Sequence, residues 1–225
     1  MRARFLRVYH RLLAHHGPQH WWPGDTPFEV MVGAVLTQNT SWTNVEKAIV
    51  NLKRHGLLDA HALAGTPAAE LARLLTPVGY FNVKARRLHN FCRWFLAQGG
   101  QRALARRRTA ELRRDLLAVN GIGPETADDI LLYAFHRDVF VIDAYTRRIF
   151  VRLGLAAGDE TYEVLRRRFE EVLKPAPGGA AGRRAAVRLF NEYHALIVIH
   201  GKDGCRPRPR CEGCCLRRMC PQRAV

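Results

Sequence analysis

Leu117-Ala118-Val119-Asn120-Gly121-Ile122-Gly123-Pro124 is the stretch on which the reading of this chain turns. It reads as two helices joined by a Gly-x-Gly hairpin. Thr109 is a suitable N-cap for a first helix running through Ala118, because a hydroxyl can accept an otherwise unpaired first-turn N–H. Asn120 to Gly123 turns the chain, and Pro124 restarts it at the first helical position, where a missing N–H costs nothing. Ala127, Ile130, Leu131 and Ala134 form an inward stripe, with Ile122 packed between the two helices. Glycine permits positive φ and close approach, and backbone N–H groups at the positive end of a helix suit a phosphate oxygen. A Gly-x-Gly alone usually marks only a tight turn. Flanked by amphipathic helices in a basic chain, Gly121, Ile122, Gly123 and Thr126 are expected at a nucleic-acid backbone.

The charge agrees. Lys and Arg number 36 against 20 Asp and Glu in 225 residues, a net +16. The natural partner is a polyanion, although runs such as Arg106-Arg107-Arg108, Arg113-Arg114 and Arg166-Arg167-Arg168 also suit solvated helix faces. Apolar residues make up 48% of the chain, enough for a real core. No apolar run is long enough to span a membrane, and the basic Met1-Arg2-Ala3-Arg4 start leads into no signal-peptide stretch. The expected location is the cytoplasm, on the nucleoid.

Outward from the hairpin the periodicity stays helical. Val45, Ile49 and Leu52 mark a helix over 44–55 stopped by Gly56. Pro67 suits a first helical position after Thr66, and Leu88, Phe91 and Phe95 mark 83–98, stopped by Gly99-Gly100. Tyr162, Leu165, Phe169 and Val172 form one later stripe, and Ala186, Phe190, Tyr193 and Ile197 another, with 174–182 as the loop between. Only Asp138 to Ile142 resembles a strand, and it also fits a buried connection.

Twenty positions after Gly123 stands Asp143. An acid after an apolar run is commonly a helix N-cap, which Asp143-Ala144-Tyr145-Thr146 fits; near a sugar it could stabilise developing positive charge. Five of the six cysteines lie between 205 and 220. Cys205-x5-Cys211-x2-Cys214-x5-Cys220 has the form of a four-thiolate site, for an iron–sulfur cluster or zinc, with Cys215 leaving the third ligand open. Cys92, in a helical pattern, is expected to be a buried core thiol.

The run Val119 to Ala127, with Val141-Ile142-Asp143 downstream, resembles the helix-hairpin-helix, Gly-Pro-Asp superfamily of DNA glycosylases. Val35 to Thr40 and Val78 to Ala85 are similar to stretches of its endonuclease III branch. His20-Trp21-Trp22-Pro23, Leu36 to Thr40 and His200-Gly201-Lys202 look most like the 3-methyladenine glycosylases of that type. The likeness spans about residues 20 to 220.

The resemblance implies an all-α fold of two helical lobes flanking a DNA-binding cleft, one lobe at 26–137 and the other at 1–25 plus 138–225. It implies Asp143 as the catalytic acid, Gln38 and Tyr80 as side chains inserted into DNA, and Trp21, Trp22, Trp42 and Lys202 around the base pocket. The bland alternatives are a helix cap for Gln38, packing for Tyr80 and a phosphate contact for Lys202. Family enzymes carry a four-iron cluster on Cys-x6-Cys-x2-Cys-x5-Cys; here the first gap is one residue shorter, and the matching ligands are Cys205, Cys211, Cys214 and Cys220, with zinc the lesser alternative.

One departure bears on mechanism. Bifunctional endonuclease III enzymes carry a Schiff-base Lys two residues after the second Gly, where this chain has Glu125. A carboxylate forms no imine, so the expectation is a monomeric, monofunctional glycosylase of base excision repair. It would remove an alkylated purine such as 3-methyladenine from double-stranded DNA by Asp-assisted water attack. The alternatives are a glycosylase, with or without lyase activity, for oxidised pyrimidine, uracil or mismatched bases, and a non-catalytic DNA-binding iron–sulfur protein. A redox protein using the cluster for electron transfer is a third rival.

Overall fold

The computed structural model describes residues 1–21, 24–175 and 179–222. The chain divides into two compact units, Trp22–Phe135 and Met1–Trp21 with His136–Val225. All regular structure among the described residues is helical, and none of these helices is long and apolar enough to cross a membrane. The chain opens with α1 (Arg2–His16). Then come α2 (Pro27–Leu36), α3 (Trp42–Arg54), α4 (Ala60–Gly65), α5 (Ala68–Leu74), α6 (Phe81–Ala97), α7 (Gly100–Ala105), α8 (Thr109–Leu117) and α9 (Pro124–Asp129). α10 (Ala144–Arg152), α11 (Tyr162–Leu173) and α12 (Gly179–Asp203) complete the order.

In the unit 22–135, α2 is apolar on every side from Val30 through Leu36 and is buried there on every side, with the buried Glu29 before them paired to Lys53 at 2.8 Å. The Thr26 hydroxyl caps it by accepting the Glu29 N–H at 3.1 Å. α6 packs against α2, α4, α5 and α7, burying Ala85, Leu88, Phe91, Cys92 and Phe95 at the helical spacing. Burial, helped by the charge of Asp59, pushes the Cys92 thiol up to about 12, so it is an inert core group. The helices of the hairpin, α8 and α9, are clamped by an internal fork. Arg113 Nε and Nη2 meet Asp128 Oδ1 and Oδ2 at 2.7 and 3.1 Å, with Asp128 fully buried. The basic runs are thus of two kinds. Arg113, Arg166 and Arg168 are consumed in close ion pairs, whereas Arg108 and Arg114 face solvent with only loose pairs to Glu111 and Asp115 at 3.8 and 3.6 Å.

Helix starts differ from expectation by about one residue. Thr109 is the first helical residue, and Arg108 is the N-cap, its N–H reaching Glu111 Oε2 at 3.4 Å. Pro67 is an N-cap, and Gly100 starts α7. Of the expected loop at 174–182, residues 176–178 lie outside the described residues, and α12 is already under way at Gly179. After α9 the helix widens into a buried π turn at Ile130–Ala134.

In the other unit, α12 packs on α10 and α1, and α1 on α11. Their core is aromatic: Phe5, Phe140, Phe150, Phe169, Phe190 and Tyr193 are all fully buried. The Tyr193 hydroxyl donates to the Phe5 carbonyl at 2.7 Å. The run Asp138 to Ile142 is no strand. Two of its N–H groups are served by side chains, Phe140 N–H by Glu170 at 3.1 Å and Ile142 N–H by the Tyr162 hydroxyl at 3.4 Å, and Val139 N–H by Arg137 O at 2.9 Å, so it runs as a buried connection into α10.

Candidate functional site

The hairpin is held from one side by α6. Gly121 has φ 98, and a methyl group there would stand 2.4 Å from Cγ of Arg87. It must be glycine for two independent reasons. Ile122 is buried and its N–H donates to Val119 O at 3.0 Å. Gly123 differs from Gly121. Its φ is −92, and nothing lies within 4 Å of a methyl group built on it. The fold does not demand a glycine there; an approaching partner backbone would. Thr126 is buried, its hydroxyl accepting from Gln38, so its backbone N–H is what it can offer a phosphate. Gly121→Ala is therefore expected to cost about 1–3 kcal/mol of stability, seen as a lower melting temperature. Gly123→Ala should melt like the parent yet bind duplex DNA more weakly by anisotropy; equal binding would dismiss the close-approach reading.

Gln38 does not project freely. Its Nε2 donates to Gly121 O and to Thr126 Oγ1, each at 2.9 Å, and its Oε1 accepts from Arg87. Tyr80 is the opposite: 74% exposed, at the start of α6, in left-handed backbone with φ 46. Holding a tyrosine there costs about 1–3 kcal/mol, and Lys84 braces the turn. The Lys84 N–H donates to Tyr80 O at 3.0 Å, and its buried ammonium to Val78 O at 2.7 Å. Burial, with the charge of Arg87, pulls Lys84 down to about 8. Phe81 beside Tyr80 is also exposed.

Trp42 begins α3, half-buried, its ring laid against α2 where a methyl on Gly33 would stand 3.0 Å away. Trp21 is half-buried at the end of a segment fixed by Glu192, which accepts the Gln19 and His20 N–H groups at 2.5 and 3.3 Å. Trp22 lies outside the described residues. Lys202 is exposed in the last turn of α12.

Asp143 caps α10, Oδ1 accepting the Thr146 N–H at 2.6 Å. Its Oδ2 lies 3.6 Å from Nε2 of His194 on α12, and 10% of its side chain stays open to solvent. Burial alone would raise its pKa; the His194 ring and Thr146 outweigh this and hold the carboxyl below its ordinary range. The group is a stable anion, enclosed but not sealed. His194 was missed in the sequence; the only signal was a polar residue beside Tyr193 in an apolar stripe.

Cys205, Cys211, Cys214 and Cys220 line one cavity, floored by Ile149, Leu153 and Leu216. Cys215 is not among its lining residues. Cys215 and His200 beside it pull the Cys214 thiol down, toward the thiolate a metal needs, while the same contact and burial push Cys215 up. The loop is tied down by arginines. Arg152 donates to Cys205 Sγ at 3.2 Å and Arg206 O at 2.6 Å, Arg148 to Cys205 O at 2.7 Å, and Arg11 to Cys215 O at 3.1 Å. Among the described residues no three His, Cys, Asp or Glu side chains form a group that could hold one metal ion.

Residues 32–175, which include the hairpin and Asp143, match the family described as HhH-GPD superfamily base excision DNA repair protein. The chain is 42% identical over 217 residues to the "Putative DNA repair glycosylase MJ1434" of Methanocaldococcus jannaschii, covering 95% of this chain and 94% of that one. Among solved structures it is similar to the Helicobacter pylori 3-methyladenine DNA glycosylase MagIII bound to 1,N6-ethenoadenine. That match has a TM-score of 0.74 and 27% identity, over 88% of this chain and 97% of that one. An endonuclease III in a non-covalent DNA complex shares the fold, with a TM-score of 0.82 at 19% identity, over 99% of this chain and 96% of that one. The chain belongs to the HhH-GPD superfamily of base excision DNA repair proteins, in its endonuclease III branch.

Proposed function

We propose that this protein is a monofunctional DNA glycosylase that acts as a monomer on duplex DNA and releases a cationic alkylated purine such as 3-methyladenine. The observation that carries the reading is the Asp143 carboxylate, almost buried at the start of α10 with Oδ2 3.6 Å from Nε2 of His194, a setting that favours its anionic form. An anion in a low-dielectric site stabilises the oxocarbenium-like charge that grows on the sugar as the glycosidic bond breaks. The bond's electron pair leaves with the base, which departs neutral because alkylation had made it cationic. Water adds to C1′ and passes its proton to the surrounding solvent. Held below its ordinary range, Asp143 is a weak base, so it orients the water and balances charge more than it abstracts a proton.

Glu125 supports the monofunctional assignment. It is exposed in the first turn of α9 and offers no amine for an imine. The helix-dipole interaction of an acid at this position explains its presence. Gly121, Ile122 and Gly123, with the Thr126 N–H, would grip the backbone, and Tyr80 would fill the gap left by the extruded base. Trp21, Trp22 and Trp42 would wall the pocket with Lys202 near it; a cationic base over such a ring gains about 0.5–2 kcal/mol. The likeness to the Helicobacter pylori 3-methyladenine enzyme supports this substrate class.

The thiol cavity fits a four-iron, four-sulfur cluster held by Cys205, Cys211, Cys214 and Cys220. Four thiols lining one cavity with an apolar floor suit an iron–sulfur cluster, with a single tetrahedral zinc the lesser alternative. Bound there, it would supply folding energy to a loop whose Arg206, Arg208, Arg210, Arg217 and Arg218 are all exposed toward solvent and available to phosphates.

The test is a panel of duplexes carrying 3-methyladenine, 7-methylguanine, hypoxanthine, uracil, thymine glycol or a mismatch. Base release, nicking and borohydride trapping are scored. Release of the alkylated purines without nicking or trapping is expected; a trapped adduct overturns the monofunctional assignment, and release confined to uracil or thymine glycol overturns the substrate.

A further inference from the structure

Three residues at spacings of three on α6 touch the turn that carries Tyr80, the Gln38 loop and the glycine hairpin. Lys84 holds the turn that displays Tyr80, through Val78 O. Asn90 donates to the Asn120 carbonyl of the hairpin at 3.1 Å. Between them Arg87 makes two contacts. Its aliphatic stem lies under Gly121, and its guanidinium donates to Oε1 of Gln38. The orientation of the Gln38 amide follows from its partners. Arginine only donates, so it faces the oxygen, and a carbonyl only accepts, so Gly121 faces the NH2. Gln38 thus spends both ends of its amide on a chain running from Arg87 to Gly121 and Thr126.

We propose that Arg87 is a positioning residue that locks Gln38 to the glycine hairpin, so that seating the hairpin on a phosphate and placing the Gln38 loop are one event. Gln38 follows α2 in a turn whose next residue, Asn39, has left-handed backbone with φ 55. With an irregular turn on one side and a six-residue helix on the other, the amide chain through Arg87 supplies the stiffness that binding geometry needs. Arg87 is half-buried, so it acts from beneath the reading surface and not as a phosphate contact.

The inference rests on the glycosylase reading for one readout only. Arg87→Met, Gln38→Met and the double variant are compared with the parent in single-turnover base release, affinity for undamaged duplex at several salt concentrations, and amide exchange across 120–126. Each single variant is expected to slow release by about tenfold, and the double variant no further than the worse single one, because both remove the same link. For Arg87→Met, affinity for undamaged duplex should stay within about threefold with an unchanged salt slope. Arg87→Lys, which keeps the stem and one donor, should recover part of the rate. Exchange at the hairpin amides should quicken in both single variants. Additive losses, a salt slope smaller by about one charge, or unaltered hairpin exchange would each overturn the coupling. Should the parent release no base from any duplex, the glycosylase reading fails while exchange and affinity still decide the lock.

Discussion

Asp143→Asn is expected to cut base release by about 10³-fold while the protein still folds and binds duplex DNA. The substitution is unusually clean because Asp143 has two separable duties. As N-cap of α10 it accepts the Thr146 N–H, which an Asn side-chain oxygen does almost equally well. As an anion it faces His194 with part of its side chain open to solvent, and this charge the amide cannot reproduce. Thermal melting and anisotropy report the first duty, single-turnover base release the second. The pH behaviour follows from the sign of the shift. His194 and Thr146 hold the carboxyl below its ordinary 3.8 against the opposing effect of burial. Its contribution to stability is therefore fully present above that value and is lost only as pH falls through the lower folded value. An acid limb in the parent's rate near neutrality would belong to another group and would survive in the variant's residual rate. Full activity in Asp143→Asn would leave the carboxylate as a cap and nothing more. Loss of duplex affinity together with activity would mean that the residue organises the fold instead of the reaction.

Much of the architecture could be read from local chemistry. The helices of the hairpin follow from glycine and proline punctuation between two apolar stripes, and Leu165 and Phe169 of the later stripe are buried on α11 as its spacing implies. What stayed hidden is every pairing between residues distant in the chain. Asp143 could be singled out by its distance from the hairpin, but its partner His194 comes from another helix. Arg113 and Arg114 are indistinguishable as letters, yet one closes the hairpin helices on buried Asp128 and the other faces water. Gln38 could be matched to an inserted side chain, whereas its hydrogen bonds to Gly121, Thr126 and Arg87 depend on how α2 and α6 pack. Helix propensity and periodicity act over one or two turns; these contacts are decided by tertiary packing, to which a single sequence gives no direct access.

The same limit applies to the adjacent thiols, and it yields a discriminating experiment. Ligand spacing alone cannot choose between Cys214 and Cys215. The cavity is lined by Cys214 with Cys205, Cys211 and Cys220, and not by Cys215. His200, whose Nε2 lies 3.5 Å from the Cys214 sulfur, favours its thiolate, and Cys215 is driven the other way. Cys214→Ser is therefore expected to lose the cluster, measured as iron and acid-labile sulfide per chain in anaerobically purified protein. Cys215→Ser should retain both in full. The loop's remaining supports are carbonyl and sulfur contacts from Arg148, Arg152 and Arg11. Four-ligand sites in small loops hold much of their folding energy in the metal, so Cys214→Ser should also make the 205–220 segment the first site of limited proteolysis. Its exposed arginines would then lose their fixed register, and duplex binding should weaken without losing its salt dependence. Equal iron in the two variants would remove the distinction between the neighbouring thiols. Zinc in place of iron and sulfide in the anaerobic parent protein would replace the cluster with a single ion and require the four sulfurs to close in around it.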